Sequence, residues 1–141
     1  MRFVTASEQV QKEWEGSTVP ATKTVERRQY KKWTETHEFR RFGEALAWLF
    51  WNPDFIAIRK LQTLNCGNGG PARLLKYLQT IADKHGLRIF ARISAYLPDQ
   101  PAPKCKFLNQ QELEAWYARR GFKIVPTKCG TDGWYPTTPK E

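Results

Sequence analysis

Residues 66–86, CGNGGPARLLKYLQTIADKHG, constrain this chain more than any other stretch. Leu74, Leu75, Leu78, Ile81 and Ala82 fall on one stripe at helical spacing. Pro71 suits the first turn of that helix, and Lys84, His85 and Gly86 mark its end. A glycine-rich turn therefore feeds the open N-terminus of a helix, a place able to hold phosphate. The flanking segments read as strands. Residues 55–64 carry Phe55, Ile56 and Ile58, and residues 87–96 place Leu87, Ile89, Ala91 and Ile93 on one side.

The remaining elements follow from breakers and alternation. Residues 2–6 read as a short first strand, with Ser7 capping a helix to about residue 15 that Gly16 and Pro20 end. Residues 24–33 read as a second, rather polar helix. Residues 37–50 admit two readings, a helix interrupted by Gly43 or a hairpin turning at Gly43-Glu44. The hairpin is preferred, because Trp and Phe favour strands and the glycine falls at the turn. Pro98, Pro101 and Pro103 hold a loop open, a last helix covers residues 110–120, and strands follow at 122–126 and near 134–138. The expected fold is α+β, a mixed sheet with helices packed on it, in a single domain over residues 1–141.

At 141 residues, with 40% hydrophobic content and six tryptophans, the chain can bury a core without staples. It has no apolar run of ~20 residues and no signal-like start, so a soluble, cytoplasmic protein is expected. Three cysteines, odd in number and without CxxC spacing, beside two histidines support neither a disulfide framework nor a metal site. The net charge of +9 implies attraction to anions. Basic residues are densest at 22–42, where Lys23, Arg27, Arg28, Lys31, Lys32, Arg40 and Arg41 outweigh Glu26, Glu35 and Glu38. That run is a solvated face or a weak nucleic-acid surface.

The glycines invite three phosphate-binding readings. A Walker loop needs Lys-Ser or Lys-Thr where Arg73-Leu74 stands, and a dinucleotide fingerprint needs an acidic residue that residues 87–96 lack. What survives is a simpler reading, in which backbone N–H groups approach a pyrophosphate at a helix N-terminus. An ordinary glycine-rich loop competes with it.

The Gly70-x-Ala72 turn, the leucine-rich helix and the later run Ala115-Trp116-Tyr117-Ala118-Arg119-Arg120-Gly121-Phe122 resemble the GNAT (Gcn5-related) N-acetyltransferases. That family shows an R/Q-x-x-G-x-G/A turn and a Y-x-x-x-G-F helix end. The resemblance covers most of the chain and is strongest over residues 60–125. One departure stands out, since the family's Arg or Gln before the glycines falls on Gly67 here. The resemblance implies a GNAT-like, mostly antiparallel central sheet flanked by helices, and acetyl-CoA (coenzyme A) as cofactor. It implies an amine-bearing acceptor, small molecule or protein, and no membrane partner.

It also implies roles for particular residues. Tyr117 would act as general acid toward the departing coenzyme A thiolate, a task that suits a phenol because its ordinary pKa of ~10 lies near that of an alkyl thiol. Gly67, Asn68, Gly69, Gly70, Ala72 and Arg73 would hold the pyrophosphate, with Lys76 as a further cation or plain surface. A bulky residue at Gly70 is expected to abolish cofactor binding and leave the fold intact. Backbone groups of Gln62, Thr63 and Leu64 would pair with the acyl and pantetheine amides, one N–H acting as oxyanion donor. Asn109 would touch the cofactor, although its spacing to Glu112 also makes it a capping residue.

No spacing selects a general base among Glu44, Asp54, His37 and Ser94. Cys66 reads as a small filler rather than a nucleophile. The function implied is an acetyl-CoA-dependent N-acyltransferase. The alternatives are a GNAT-fold binding module and a nucleic-acid-directed acyltransferase using its basic surface.

Overall fold

The structure is a computed structural model that describes residues 4–28, 32–64, 69–94 and 108–136, with backbone alone over 23–28 and 32–35. The elements run α1 (Ala6–Ser17), β1 (Val19–Pro20), β2 (Lys23–Arg28), β3 (Lys32–His37), β4 (Arg40–Phe42), β5 (Ala45–Trp51), β6 (Phe55–Thr63), α2 (Gly70–Lys84), β7 (Arg88–Ile93), α3 (Gln110–Arg119), β8 (Lys123–Thr127) and β9 (Gly130–Tyr135). Seven strands form one sheet in the order β1-β4-β5-β6-β7-β9-β8, while β2 and β3 pair separately as a hairpin. Every pair in the large sheet is antiparallel except β6 with β7. That exception follows from the connection, because a strand returning after a crossover helix can pair in parallel. Both edges carry a proline, Pro20 in β1 and Pro126 in β8, which removes an edge donor.

Register separates the two faces, since cross-strand partners share a face. The inner face holds Ala45 and Ala47 of β5, Ile56 and Ile58 of β6, and Ile89, Ala91 and Ile93 of β7, all buried. The stripe Leu74, Leu75, Leu78, Ile81 and Ala82 of α2 is buried with them in one cluster. Each large side chain so covered contributes about 1.5–3 kcal/mol. α1 lies beside α2, with Trp14 and Tyr77 stacked at 6.2 Å and Tyr77 stacked in turn on Phe42 at 4.7 Å. Arg40, an inner-face residue of β4, donates from Nε to Thr18 Oγ1 at 2.7 Å and from Nη2 to the Thr18 and Glu15 carbonyls. α3 joins the same face, where the Gln79 amide of α2 donates to the Arg120 carbonyl at 2.7 Å. The described helices thus share one side of the sheet instead of flanking it, and none is long and apolar enough to cross a membrane.

Two expectations are corrected by local chemistry. The first strand expected at 2–6 is not present in its described part, because Ala6 already opens α1. The Thr5 hydroxyl accepts from the Glu8 amide at 3.1 Å and caps the helix before Ser7, which is buried inside it. The polar helix expected at 24–33 is a hairpin, with Lys23 opposite His37 and Arg28 opposite Lys32. No apolar stripe at helical spacing exists there to pack a helix, while Thr24, Val25, Trp33 and Thr34 suit strands. The hairpin at Gly43-Glu44, the strand at 55–64 and the helix after the glycines stand as expected. The proline-rich loop lies outside the described residues.

Glu13 clamps α1 to the end of α2, at 2.9 Å from Lys84 Nζ and 2.7 Å from His85 Nε2. Those bonds, Lys84 first, hold its carboxyl below the usual range. At the same end Tyr135 Oη donates to Asp83 Oδ2 at 2.7 Å. Burial, and then that bond, push the phenol up to about 12. Its folded-state value lies above the unfolded ~10, so the stability it contributes is intact below pH ~10. That contribution is lost as pH climbs through about 12. Tyr135→Phe should abolish this alkaline component of unfolding. A spectrophotometric titration in which no phenol ionises late would contradict it.

Candidate active site

The single parallel pairing is short. Among the described residues, β6 and β7 match rung for rung from Phe55 opposite Arg88 to Ile58 opposite Ala91, with β6 running on to Thr63 and β7 to Ile93. This described pairing ends where β6 carries a bulge. Trp48 of β5 faces Lys60 and Leu49 faces Ile58, so Arg59 is the extra residue. A bulge bends its strand and increases local twist. It also shifts the parity of side chains, so that Leu61 continues the inner face of Ile56 and Ile58 opposite Ala47. The step of three from Ile58 to Leu61 was the signal for this in the sequence, and alternation alone passes over it.

Backbone direction past the bulge follows from one bond. The Leu64 amide donates to the Glu44 carbonyl at 2.8 Å. In an antiparallel ladder this makes Thr63–Ala45 a non-hydrogen-bonded pair, so Gln62 turns its backbone groups to β5. Leu61 and Thr63 then turn theirs toward the β7 side, and neither residue is without a partner. Of the expected residues, Thr63 is therefore the one whose backbone faces β7. Gln62 and Leu64 are engaged with the β5 side, and Leu61 joins Thr63 as a residue that was not foreseen.

α2 begins beyond the carboxyl end of β6. Its N-cap is Gly69 at φ 65°, with no side chain capping the helix, no acidic residue in the first turn and Pro71 within it. Arg73 curls back over the turn, its Nη1 lying 3.4 Å from where a Cβ on Gly69 would stand. Ala72 is half-buried, and Lys76 is exposed one turn on. Gly67, Asn68 and Cys66 lie outside the described residues.

Gly70 has a structural task of its own. A Cβ there would meet the Glu44 carbonyl oxygen at 2.8 Å and its carbon at 2.9 Å. The glycine lets α2 seat against the β4–β5 turn that also anchors Leu64. A bulky residue at Gly70 would thus not leave the fold intact. Even Gly70→Ala should destabilise by about 1–3 kcal/mol, because overpacking against backbone outweighs the ~1 kcal/mol that alanine gains in a helix. Chemical denaturation measures this, and an unchanged midpoint would show that the turn yields freely.

α3 sets the far wall. Asn109 caps it in a complete capping box, accepting from the Glu112 amide at 2.8 Å while Glu112 Oε1 accepts from the Asn109 amide at 3.0 Å. Gln110 Nε2 reaches across to the Ile93 carbonyl at the end of β7, at 2.8 Å. At the other end the Tyr117 carbonyl accepts from the Arg120 and Phe122 amides, with Gly121 at φ 90°. The Tyr-x-x-x-Gly-Phe spacing is thereby accounted for as a helix ending.

The placement of Tyr117 says more than the spacing. It is 7% exposed, and its ring packs edge-on against Trp116 at 5.0 Å and Phe122 at 5.1 Å. Phe122 lies over Gly133, which pairs with Ala91, which pairs with Ile58. Tyr117 therefore sits near the level of the rung where the described pairing of β6 with β7 ends. Among the base candidates, Glu44 and Ser94 lie at the end of the sheet where α2 starts, while Asp54 occupies the turn at the opposite end. His37 is buried and stacked on Trp48 at 4.8 Å.

No family model and no curated protein sequence matches the chain. Among solved structures it is similar to the crystal structure of the anti-CRISPR protein AcrVA5, with a TM-score of 0.50 and 13% sequence identity. The match covers 81% of this chain and 98% of that one. At that identity the likeness speaks for fold alone. The fold is α+β, with a seven-stranded, mostly antiparallel sheet.

Proposed function

We propose that this protein is an acetyl-CoA-dependent N-acyltransferase that moves an acetyl group to an amine by direct attack. The observation that supports this reading is the end of the described β6–β7 pairing at the Arg59 bulge, a bend that would open a cleft between the strands, with the start of α2, free of a side-chain cap, at the same end. In sheets of this kind ligands bind at the carboxyl ends of parallel strands, where backbone groups open outward. The residues there fit a long, phosphate-bearing thioester. Gly69 at the N-cap leaves the helix start to an anion, and Arg73 adds a cation beside it.

Acetyl-CoA, when bound, supplies an acetyl group activated as a thioester. The first turn of α2 and Arg73 hold the phosphates. Charge developing on the acetyl oxygen as the amine attacks would call for a backbone N–H donor at the far end of β6. Tyr117 keeps a proton for the departing sulfur at its hydroxyl. Asn109 contributes by fixing the start of α3, its side-chain oxygen being engaged by Glu112.

The test is ligand-linked stability followed by transfer. At a hundred times its dissociation constant acetyl-CoA should stabilise the fold by about 2.7 kcal/mol. Arg73→Glu should weaken coenzyme A binding roughly ten- to a hundredfold, since a charge-assisted contact contributes about 1.5–3 kcal/mol. Labelled acetyl-CoA offered with peptides and small amines then identifies the acceptor. A melting point unmoved by millimolar acetyl-CoA or coenzyme A would remove the reading.

A further inference from the structure

We propose that the sheet face opposite the helices is a docking surface for single-stranded nucleic acid, independent of the cleft. Register places Phe50, Ala57, Phe90, Trp134 and Lys123 in one row across five neighbouring strands of that outer face. Phe50 is 51% exposed, and Ala57, Phe90 and Trp134 are half-buried. No described helix lies over them. Phe50 and Phe90 stand two strand spacings apart, about 10 Å, with only the Ala57 methyl between them. The result is a shallow trough floored by Ala57 and walled by rings. Phe55 joins the far wall, its ring centroid 5.4 Å from Trp134 and 6.2 Å from Phe90.

Positive charge predominates among the described residues of this face. Arg41, Arg59, Lys60, Arg88 and Lys123 belong to it by register or by contact. Among its described residues the carboxylate is Asp132, which Arg92 engages at 2.7 Å. Two of the cations lie flat on rings, Arg59 over Trp48 at 4.6 Å and Arg88 over Trp134 at 4.3 Å. Rings and guanidinium planes that offer flat surfaces beside positive charge suit bases and phosphates together.

The geometry selects among occupants. A duplex hides its base faces and calls for an element that enters a groove, whereas unstacked bases can lie on a sheet. A second copy seated on the same patch would bring Arg59, Arg88 and Lys123 against like charges, which opposes pairing. A single strand satisfies both the rings and the cations.

The experiment is fluorescence anisotropy of a labelled oligothymidylate with the full chain at low salt, beside the matching duplex and heparin. The expected result is binding to the single strand in preference to the duplex, with log affinity falling linearly with log salt. Phe50→Ala should weaken binding about tenfold, and Phe50→Trp should restore it. Arg59→Glu should shallow the salt slope by about one phosphate contact. Coenzyme A binding should be unaffected by Phe50→Ala, which keeps this outcome separate from that of the cleft. No binding at low salt overturns the proposal. So does binding that Phe50→Ala leaves unchanged, or equal binding of duplex and heparin, since either reduces it to bulk charge. A wild-type dimer that Phe50→Ala dissociates would assign the face to a second copy instead.

Discussion

Tyr117→Phe should lower turnover by about 10²–10⁴, the usual contribution of a positioned general acid. The substitution deletes one hydroxyl and keeps the ring, so the edge-on contacts with Trp116 and Phe122 survive. Loss of a single hydrogen bond costs about 1 kcal/mol of stability at most sites, too little to unfold a domain. Coenzyme A affinity should stay within a small factor, because the loss is confined to the transition state. The split between turnover and binding is what separates the roles. A residue that only ends α3 would, when altered, change stability and leave turnover alone. Wild-type turnover in Tyr117→Phe, measured where chemistry limits the rate, would assign the residue to the core and the proton to water.

Much of this architecture was legible because burial imposes periodicity. Leu74, Leu75, Leu78, Ile81 and Ala82 recur at helical spacing because α2 packs on one face of the sheet. Gly43 marked a turn because it adopts φ 57° between two strands rich in aromatic residues. The hairpin of β2 and β3 was not legible, since its charges mask alternation and it stands apart from the large sheet. Nor was the side on which the helices lie. Ile56 and Ala57 are both apolar, and only register shows that one faces α2 and the other the open trough.

The helix that the candidate site rests on was legible, and the geometry at its start was not. Sequence pointed to a glycine-led helix and a tyrosine, and the structure puts the tyrosine ring in the core against Trp116 and Phe122. The residue that makes the bulge, Arg59, reads as an ordinary charged position in a strand, because nothing in its chemistry announces a bulge. Gly70 misled in the opposite direction. A glycine before a helix suggests a ligand, yet the atoms it accommodates most closely are those of Glu44. The backbone donors shifted by one residue for a similar reason. Side-chain identity carries no information about which way an amide points, and the Leu64–Glu44 bond decides it.

Deletion of Arg59 should separate fold from function, and it carries the second large effect. In a regular strand Ile58 and Lys60 would become neighbours, and their partners Leu49 and Trp48 already are. Removing the extra residue therefore keeps Ile56, Ile58 and Leu61 on the inner face and Lys60 and Gln62 on the outer, with no register change against β5. The apolar contacts of that face stay as they are, and the surface ring contact of Arg59 with Trp48 is worth about 0.5–1 kcal/mol. The fold should survive. What changes is the course of β6, because the bend and added twist at the bulge are gone and the strand can continue beside β7. The pairing of β6 with β7 would then extend past Ile58 and close the proposed cleft. Transfer should fall by about 10²–10³ or more, the usual consequence of losing one oxyanion donor, and coenzyme A affinity should fall with it. Circular dichroism and denaturation establish that the deletion variant is folded, and calorimetry with coenzyme A reads the cleft. A folded deletion variant that binds coenzyme A and turns over like the wild type would show that the bulge does not make the site.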